Sequence, residues 1–221
     1  MKKKAVYMMP GMAANPSIFE YIKLPDCYDV YWMHWIIPEK DESLSHYVSR
    51  LISEQINHSN PILLGVSFGG IVVQEMAKQI TVEKLILIST VKHHDEFPKF
   101  LKTSLKYKLY KLFPTKFRIF RKLSLLEKIP SKSFKKKMKF YKRYLDVNDP
   151  RYLSWAIITL LKWKQTTALP NYVHIHGSKD QIFGIKNIKK PVIIVEGGRH
   201  DMIIRNARWF NRNIKKLIQN D

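Results

Sequence analysis

The chain has 221 residues, 45% hydrophobic and 12% aromatic, which is enough for one α/β domain with an insertion and excludes global disorder. Its single cysteine, Cys27, excludes an intramolecular disulfide, leaves no metal-ligand cysteine spacing and points to a reducing, cytoplasmic setting. The formal net charge of +21 is extreme and uneven: residues 91–170 hold 21 Lys and Arg against 5 Asp and Glu, a net +16, so any electrostatic role belongs mainly there.

Met1-Lys-Lys-Lys4 resembles the basic start of a signal peptide, but Pro10-Gly11 interrupts the apolar run behind it. Lys4 to Met9 therefore reads as a first strand, closed by the turn Pro10-Gly11-Met12. Asn15-Pro16-Ser17 can start a short helix carrying Ile18, Phe19 and Ile22. Tyr28 to Trp35 is rich in Val, Tyr and Trp and reads as a second strand. Ser43 can cap a helix to Ile56, with Leu44, Tyr47, Val48, Leu51, Ile52 and Ile56 on one face. Pro61 to Val66 is a buried strand, Ile71 to Ala77 has helical spacing, and Glu83 to Ser89 is another buried strand.

From Val91 the texture changes to lysine-rich amphipathic helices. Phe97 to Leu112 marks one, Phe117 to Leu126 a second, and Phe134 to Leu145 a third. Asp149-Pro150 opens a fourth through Trp155, Ile158, Leu161 and Trp163. Strands return at Asn171 to His176 and at Pro191 to Glu196, and a final helix spans about Met202 to Ile218. No stretch is apolar for long enough to cross a bilayer as a helix. Strands alternating with helices predict an α/β fold with a doubly wound, mostly parallel sheet. Residues 1–90 and 171–221 form its core. Residues 91–170 form a helical cap over the strand carboxyl ends, where such sheets bind ligands.

The stretch Gly65-Val-Ser67-Phe-Gly69 joins the third strand to its helix. Strand, Gly-x-Ser-x-Gly, helix is the setting of a nucleophile elbow, whose turn is too tight for side chains two residues either side of the serine. A serine hydroxyl is a weak nucleophile and needs a base. Of eight histidines, His200 lies between a strand with Gly197-Gly198 and the last helix, in a loop that opens on the elbow's sheet edge. The base needs a carboxylate to hold its tautomer, and Asp180, just after the preceding strand, faces the same edge. Asp201 adjoins His200 too closely to reach its ring easily. A tetrahedral oxyanion needs two backbone N–H donors. Phe68, next after the serine, supplies one; Met12, in the Pro-Gly turn, supplies the other.

The order Ser67, Asp180, His200, the elbow and the Pro10-Gly11-Met12 turn resemble the α/β-hydrolase fold superfamily, and within it small bacterial single-domain hydrolases of unassigned substrate. The likeness covers roughly residues 4–90 and 171–219. It departs in Met9-Pro10-Gly11 where many members have His-Gly, in the short loop after Asp180, and in the missing antiparallel strands at the start. The resemblance implies a serine hydrolase that cleaves a carboxylic ester or thioester through an acyl-enzyme. It implies Ser67, His200 and Asp180 as catalytic residues, Met12 and Phe68 N–H as the oxyanion hole, and no cofactor. An acyltransferase with the same triad and a catalytically weak binding protein are the alternatives.

His93-His94-Asp95 and His174-x-His176 are metal ligands by type but lack helical spacing and a third ligand, so no metal is expected. The basic segment reads first as a solvated helix face. Next comes an attractor of anionic substrate, or a weak contact with an anionic membrane surface. No nucleic-acid module accompanies it, so no nucleic-acid partner is expected.

Overall fold

The computed structural model describes residues 3–107, 139–140, 142–145 and 147–219. Among the described residues six strands form one sheet in the order β2-β1-β3-β4-β5-β6, where β1 is Lys4–Met9, β2 Tyr28–Trp32, β3 Ile62–Val66, β4 Lys84–Ile88, β5 Tyr172–Gly177 and β6 Ile193–Val195. Every strand pair is parallel. Strands β3 and β4 are buried at every position, because helices cover both faces and leave no solvent side to favour polar residues. At the β6 edge, Ile193 and Ile194 stay exposed.

Alternate residues feed two cores. Tyr7, Met9, Leu63, Leu85 and Leu87 face one layer, with helices α1 (Leu44–Gln55) and α2 (Phe68–Met76). Val6, Met8, Leu64, Ile86 and Ile88 face the other, with the 3₁₀ turn Pro16–Phe19 and the carboxyl-terminal helices. Ser43 caps α1 by accepting from His46 N–H at 3.2 Å, and Asn15 caps the 3₁₀ turn ahead of Pro16. This is a doubly wound sheet. Its order reverses between β1 and β3, and the crevice beyond their carboxyl ends is where such sheets place ligands.

Helical segments are inserted between β4 and β5. Helix α3 is Lys99–Lys106, and α4, Pro150–Lys162, starts as expected with Asp149 accepting from Arg151 N–H at 2.8 Å and Pro150 in the first turn. The expected helix over 117–126 and the run Lys135–Lys137 lie outside the described residues; of the third, residues 139–140 and 142–144 are helical. The insertion is tied to the core near β1. Asn15 N–H donates to Tyr144 O at 3.0 Å, and Val147 N–H to Ala13 O at 3.2 Å. Among the described residues no helix is long and apolar enough to cross a membrane.

Two of the differences from the expected element boundaries have a visible cause. Strand β2 ends at Trp32 instead of Trp35: β1 turns away at Pro10, and His34 exchanges its backbone bonds with the Gln55 side chain instead, at 2.8 and 2.9 Å. The final helix is two, α5 (Met202–Arg205) and α6 (Ala207–Gln219). Asn206, a poor helix former, leaves helical geometry at φ −108°, ψ 25°. The break lets Met202 and Ile203 and then Phe210, Ile214 and Ile218 all reach the same core.

A buried polar network closes the junction of β4, β5 and the insertion. Lys92 pairs with Glu96 at 2.8 Å with both side chains fully enclosed, and Glu96 also accepts from Lys189 N–H at 2.8 Å. His174 Nε2 lies 3.0 Å from Thr90 O and Nδ1 3.4 Å from Lys92 Nζ, so Nε2–H donates to the carbonyl and Nδ1 faces the ammonium. Burial, then the Lys92 charge and His176, push His174 down to about 3. In the unfolded chain an imidazole titrates near 6.5. The unfolded state therefore binds the extra proton between these values. The stability from neutral His174 is complete above about pH 6.5 and is lost as pH falls toward 3, by up to about 1.4 kcal/mol per pH unit. Urea unfolding at pH 7, 6 and 5 will show a shallower loss in His174→Asn than in wild type. Equal slopes would refute the assignment.

Candidate active site

The residues after β1 and β3 meet because the two strands are neighbours, with Met9 paired to Gly65. Ser67 stands between β3 and α2 at φ 54°, ψ −120°, a left-handed conformation that a non-glycine residue adopts only under constraint. The constraints are visible. Ser67 N–H donates to Ile88 O at 2.9 Å, and Ser67 O accepts from Gly70 N–H at 2.9 Å and from Thr90 Oγ1 at 2.6 Å. A β-carbon on Gly65 would lie 2.5 Å from Gly69 O, and one on Gly69 would lie 2.2 Å from Pro10 O. Both glycines are thus required by close backbone approach, and the second packs the elbow on the β1 turn.

His200 precedes α5, and its Nε2 lies 2.9 Å from Ser67 Oγ. Its Nδ1 lies 2.9 Å from Asp180 Oδ2, so Nδ1 carries the proton and donates to the carboxylate, leaving Nε2 to accept from the serine hydroxyl. Asp180 is buried in the turn after β5. Its Oδ1 accepts from Ile182 N–H at 2.8 Å and Phe183 N–H at 3.0 Å. Burial pushes its carboxyl up, but the His200 bond and charge, Phe183 N–H and His176 outweigh this and hold it below the usual carboxylate range. The acid is therefore ionised at neutral pH. The two loops interlock: a β-carbon on Gly177 would come within 2.3 Å of Gly198 O, and Lys179 N–H donates to Gly198 O at 2.8 Å.

The structure thus brings Ser67, His200 and Asp180 into one hydrogen-bonded chain. Asp201 does not enter it; its carboxylate pairs with Arg205 at 2.5 Å. Phe68 is the first residue of α2 and so has no intrahelical acceptor for its N–H. Met12 lies in the turn after β1, next to Gly11, where an added methyl would sit 3.5 Å from Ser67 Cβ.

Three neighbours of the site are not among the site residues read from the sequence. Thr90 grips the elbow carbonyl. His176 stands behind the acid, its Nε2 2.7 Å from Phe183 O and 3.4 Å from Asp180 Oδ2. Burial lowers its pKa against the upward pull of Phe183 O and Asp180, so it stays neutral and donates. Trp35 Nε1 donates to Gly11 O at 3.0 Å. No spacing in the chain signals these contacts; the only cue is that a tryptophan N–H withdrawn from water needs an acceptor.

The other metal-type groups are engaged elsewhere. His93 Nδ1 bonds Thr166 O, and His174 and His176 bond carbonyls as described. Among the described residues Glu39, Glu42 and His46 offer donor atoms within 4.8 Å of one another, yet the Arg50 guanidinium already holds Glu42 at 3.0 Å. A groove of about 1040 Å³ runs between α4 and the ends of α1 and α2, and none of Ser67, Asp180 and His200 lines it.

No protein-family model and no curated protein matches this chain. Solved structures do. An esterase from Thermogutta terrifontis superposes with a TM-score of 0.69 at 14% identity, covering 97% of this chain and 89% of that one. An esterase from Exiguobacterium antarcticum gives 0.67 at 19%, covering 99% and 93%. A bromoperoxidase from Bacillus anthracis gives 0.67 at 17%, covering 99% and 93%. The chain has the α/β-hydrolase fold, with a helical insertion after its fourth strand. Because the solved neighbours include esterases and a bromoperoxidase, the fold alone does not choose the reaction.

Proposed function

We propose that the protein is a serine hydrolase that cleaves a carboxylic ester or thioester through an acyl-enzyme. The observation that carries this reading is the chain Ser67 Oγ, His200 Nε2, His200 Nδ1, Asp180 Oδ2, with 2.9 Å at both hydrogen bonds, ending on a strained elbow serine. Ser67 Oγ attacks the carbonyl carbon while its proton passes to His200 Nε2. The carbonyl oxygen becomes an oxyanion held by the N–H groups of Met12 and Phe68. Collapse expels the alcohol or thiol, which takes the proton from His200. Water, deprotonated by His200, then releases the acid and restores Ser67. Asp180 stabilises the transient imidazolium.

In this reading residues 1–90 and 171–221 are the catalytic core, and residues 91–170 are a cap. Tyr152 and Trp155 of α4 support a cap that supplies apolar acyl contacts: Tyr152 packs on Trp35 and Trp155 on Phe68, with ring centroids 5.1 and 6.2 Å apart. The cap's net +16 steers anionic substrates. Raising salt will therefore lower kcat/KM for an anionic thioester and leave a small neutral ester nearly unchanged, since exposed charge is screened over about 8 Å at physiological salt. Equal salt responses would reduce the cap's charge to a solvated face.

A fluorophosphonate probe tests the proposal. Wild type will acquire one covalent adduct on Ser67, and Ser67→Ala none. A wild type that neither labels nor hydrolyses p-nitrophenyl esters would overturn it in favour of a binding protein that keeps the fold.

A further inference from the structure

The oxyanion donor proposed at Met12 sits on a short turn, and a turn is a poor platform for a donor that must not reorganise during reaction. The turn is braced from one side. Gly11 O accepts two hydrogen bonds, from Ala14 N–H at 3.0 Å and from Trp35 Nε1 at 3.0 Å. Ala13 between them takes φ 63°, a left-handed value that the surrounding contacts must hold. Gly11 C=O and Met12 N–H belong to the same peptide unit. That unit is planar and trans, the one cis bond among the described residues being Lys190-Pro191. In a trans peptide the carbonyl and the following N–H point in opposite directions. Two donors that fix the carbonyl therefore also fix the N–H, aimed away from Trp35 and Ala14.

The same indole reaches the other proposed donor. Its ring stacks on Phe68, centroids 5.4 Å apart and planes 16° from parallel, and Phe68 carries the N–H after the nucleophile. Tyr152 of the insertion packs on Trp35 with centroids 5.1 Å apart. Trp35 thus bonds the peptide of one donor, stacks on the side chain of the other, and is itself held by the insertion.

We propose that Trp35 is a positioning residue for the oxyanion hole: its indole N–H sets the Gly11–Met12 peptide plane, and its ring seats Phe68. This rests on the hydrolase reading. Trp35 touches no reacting atom in this account; it acts through the two backbone donors. Its distinctive consequence is a loss confined to the tetrahedral species. Ground-state ester binding uses the acyl contacts and is unaffected by where Met12 N–H points.

The test compares wild type, Ser67→Ala and Trp35→Phe in hydrolysis of p-nitrophenyl butyrate and in binding of an aryl trifluoromethyl ketone, which adds to the serine as a tetrahedral adduct. Deleting an oxyanion donor outright costs about 10²–10³ in kcat. Trp35→Phe keeps the donors and loosens one, so kcat falls about tenfold to a hundredfold. KM stays within about threefold, ketone affinity falls by the same factor as kcat, and the pH profile keeps its shape. Wild-type kcat and ketone affinity in Trp35→Phe would overturn the inference while leaving the hydrolase reading intact. A loss shared equally by KM, with no selective loss of ketone affinity, would also overturn it, since that is the mark of a merely structural role. An inactive wild type, or an active Ser67→Ala, would overturn the hydrolase reading and the inference with it. If Trp35→Phe fails to fold, replacing Trp35 by 3-benzothienylalanine, which keeps the shape and lacks the N–H, decides by the same readouts.

Discussion

Ser67→Ala will lower kcat for p-nitrophenyl esters by about 10⁶-fold, the scale on which removing a serine nucleophile acts when the remaining groups work as a unit. The fold will survive. Ser67 Oγ bonds only His200 among the described residues, whereas the Ser67 backbone, which alanine retains, donates to Ile88 O and accepts from Gly70 N–H and the Thr90 hydroxyl. Melting temperature and circular dichroism will therefore stay close to wild type while turnover disappears. Unchanged turnover in the variant would remove Ser67 from the mechanism, and with it the reading of the elbow as a nucleophile site.

Asp180→Asn will lower kcat by about 10⁴-fold, the effect of the wrong imidazole tautomer in a protease triad. The geometry here explains why the variant cannot escape. Asp180 Oδ1 accepts two backbone N–H bonds, from Ile182 and Phe183, and Oδ2 accepts from His200. An asparagine has one acceptor oxygen. If that oxygen serves Ile182 and Phe183, its NH₂ faces His200 Nδ1, which must then accept. The proton moves to Nε2, and Nε2 can no longer take the proton of Ser67. If the amide flips, its NH₂ faces two N–H donors in a buried pocket, at the cost of leaving them unpaired. The first arrangement wins. KM will hardly move, because the acyl contacts are untouched. A kcat within tenfold of wild type would mean that another acid supports His200, or that Ser67 and His200 do not turn over esters.

How much of this was legible in the chain differs by scale. The elbow was readable because its demands are local: Gly65 and Gly69 are needed within four residues of each other, between an unbroken apolar run and a helical pattern. The buried strands were readable because helices on both faces leave no reason for polar residues in β3 and β4. The end of β2 was not, since it depends on where its neighbour β1 turns away, and the split at Asn206 was not, since a single amphipathic stripe runs across it. His200 and Asp180 were reachable only through chain order in a known topology. Nothing in Gly-Ser-Lys-Asp distinguishes an orienting carboxylate from an ordinary turn aspartate.

The alternation of strands and helices, the place of the insertion and the serine at the turn follow from short stretches of the chain, because propensity, burial pattern and steric need at a glycine act over a few residues. What surrounds that serine depends on contacts between distant parts of the folded chain. The Ser67–His200 bond joins residues 133 positions apart, and the contacts of Thr90 with Ser67 and of Trp35 with Gly11 span 23 and 24. Hydrogen bonds of that reach leave no periodicity, and a tryptophan that braces a distant peptide has the same local pattern as one that fills a core. Their partners are set by the order of strands in the sheet, which places the carboxyl ends of the parallel strands β1 to β6 along one edge.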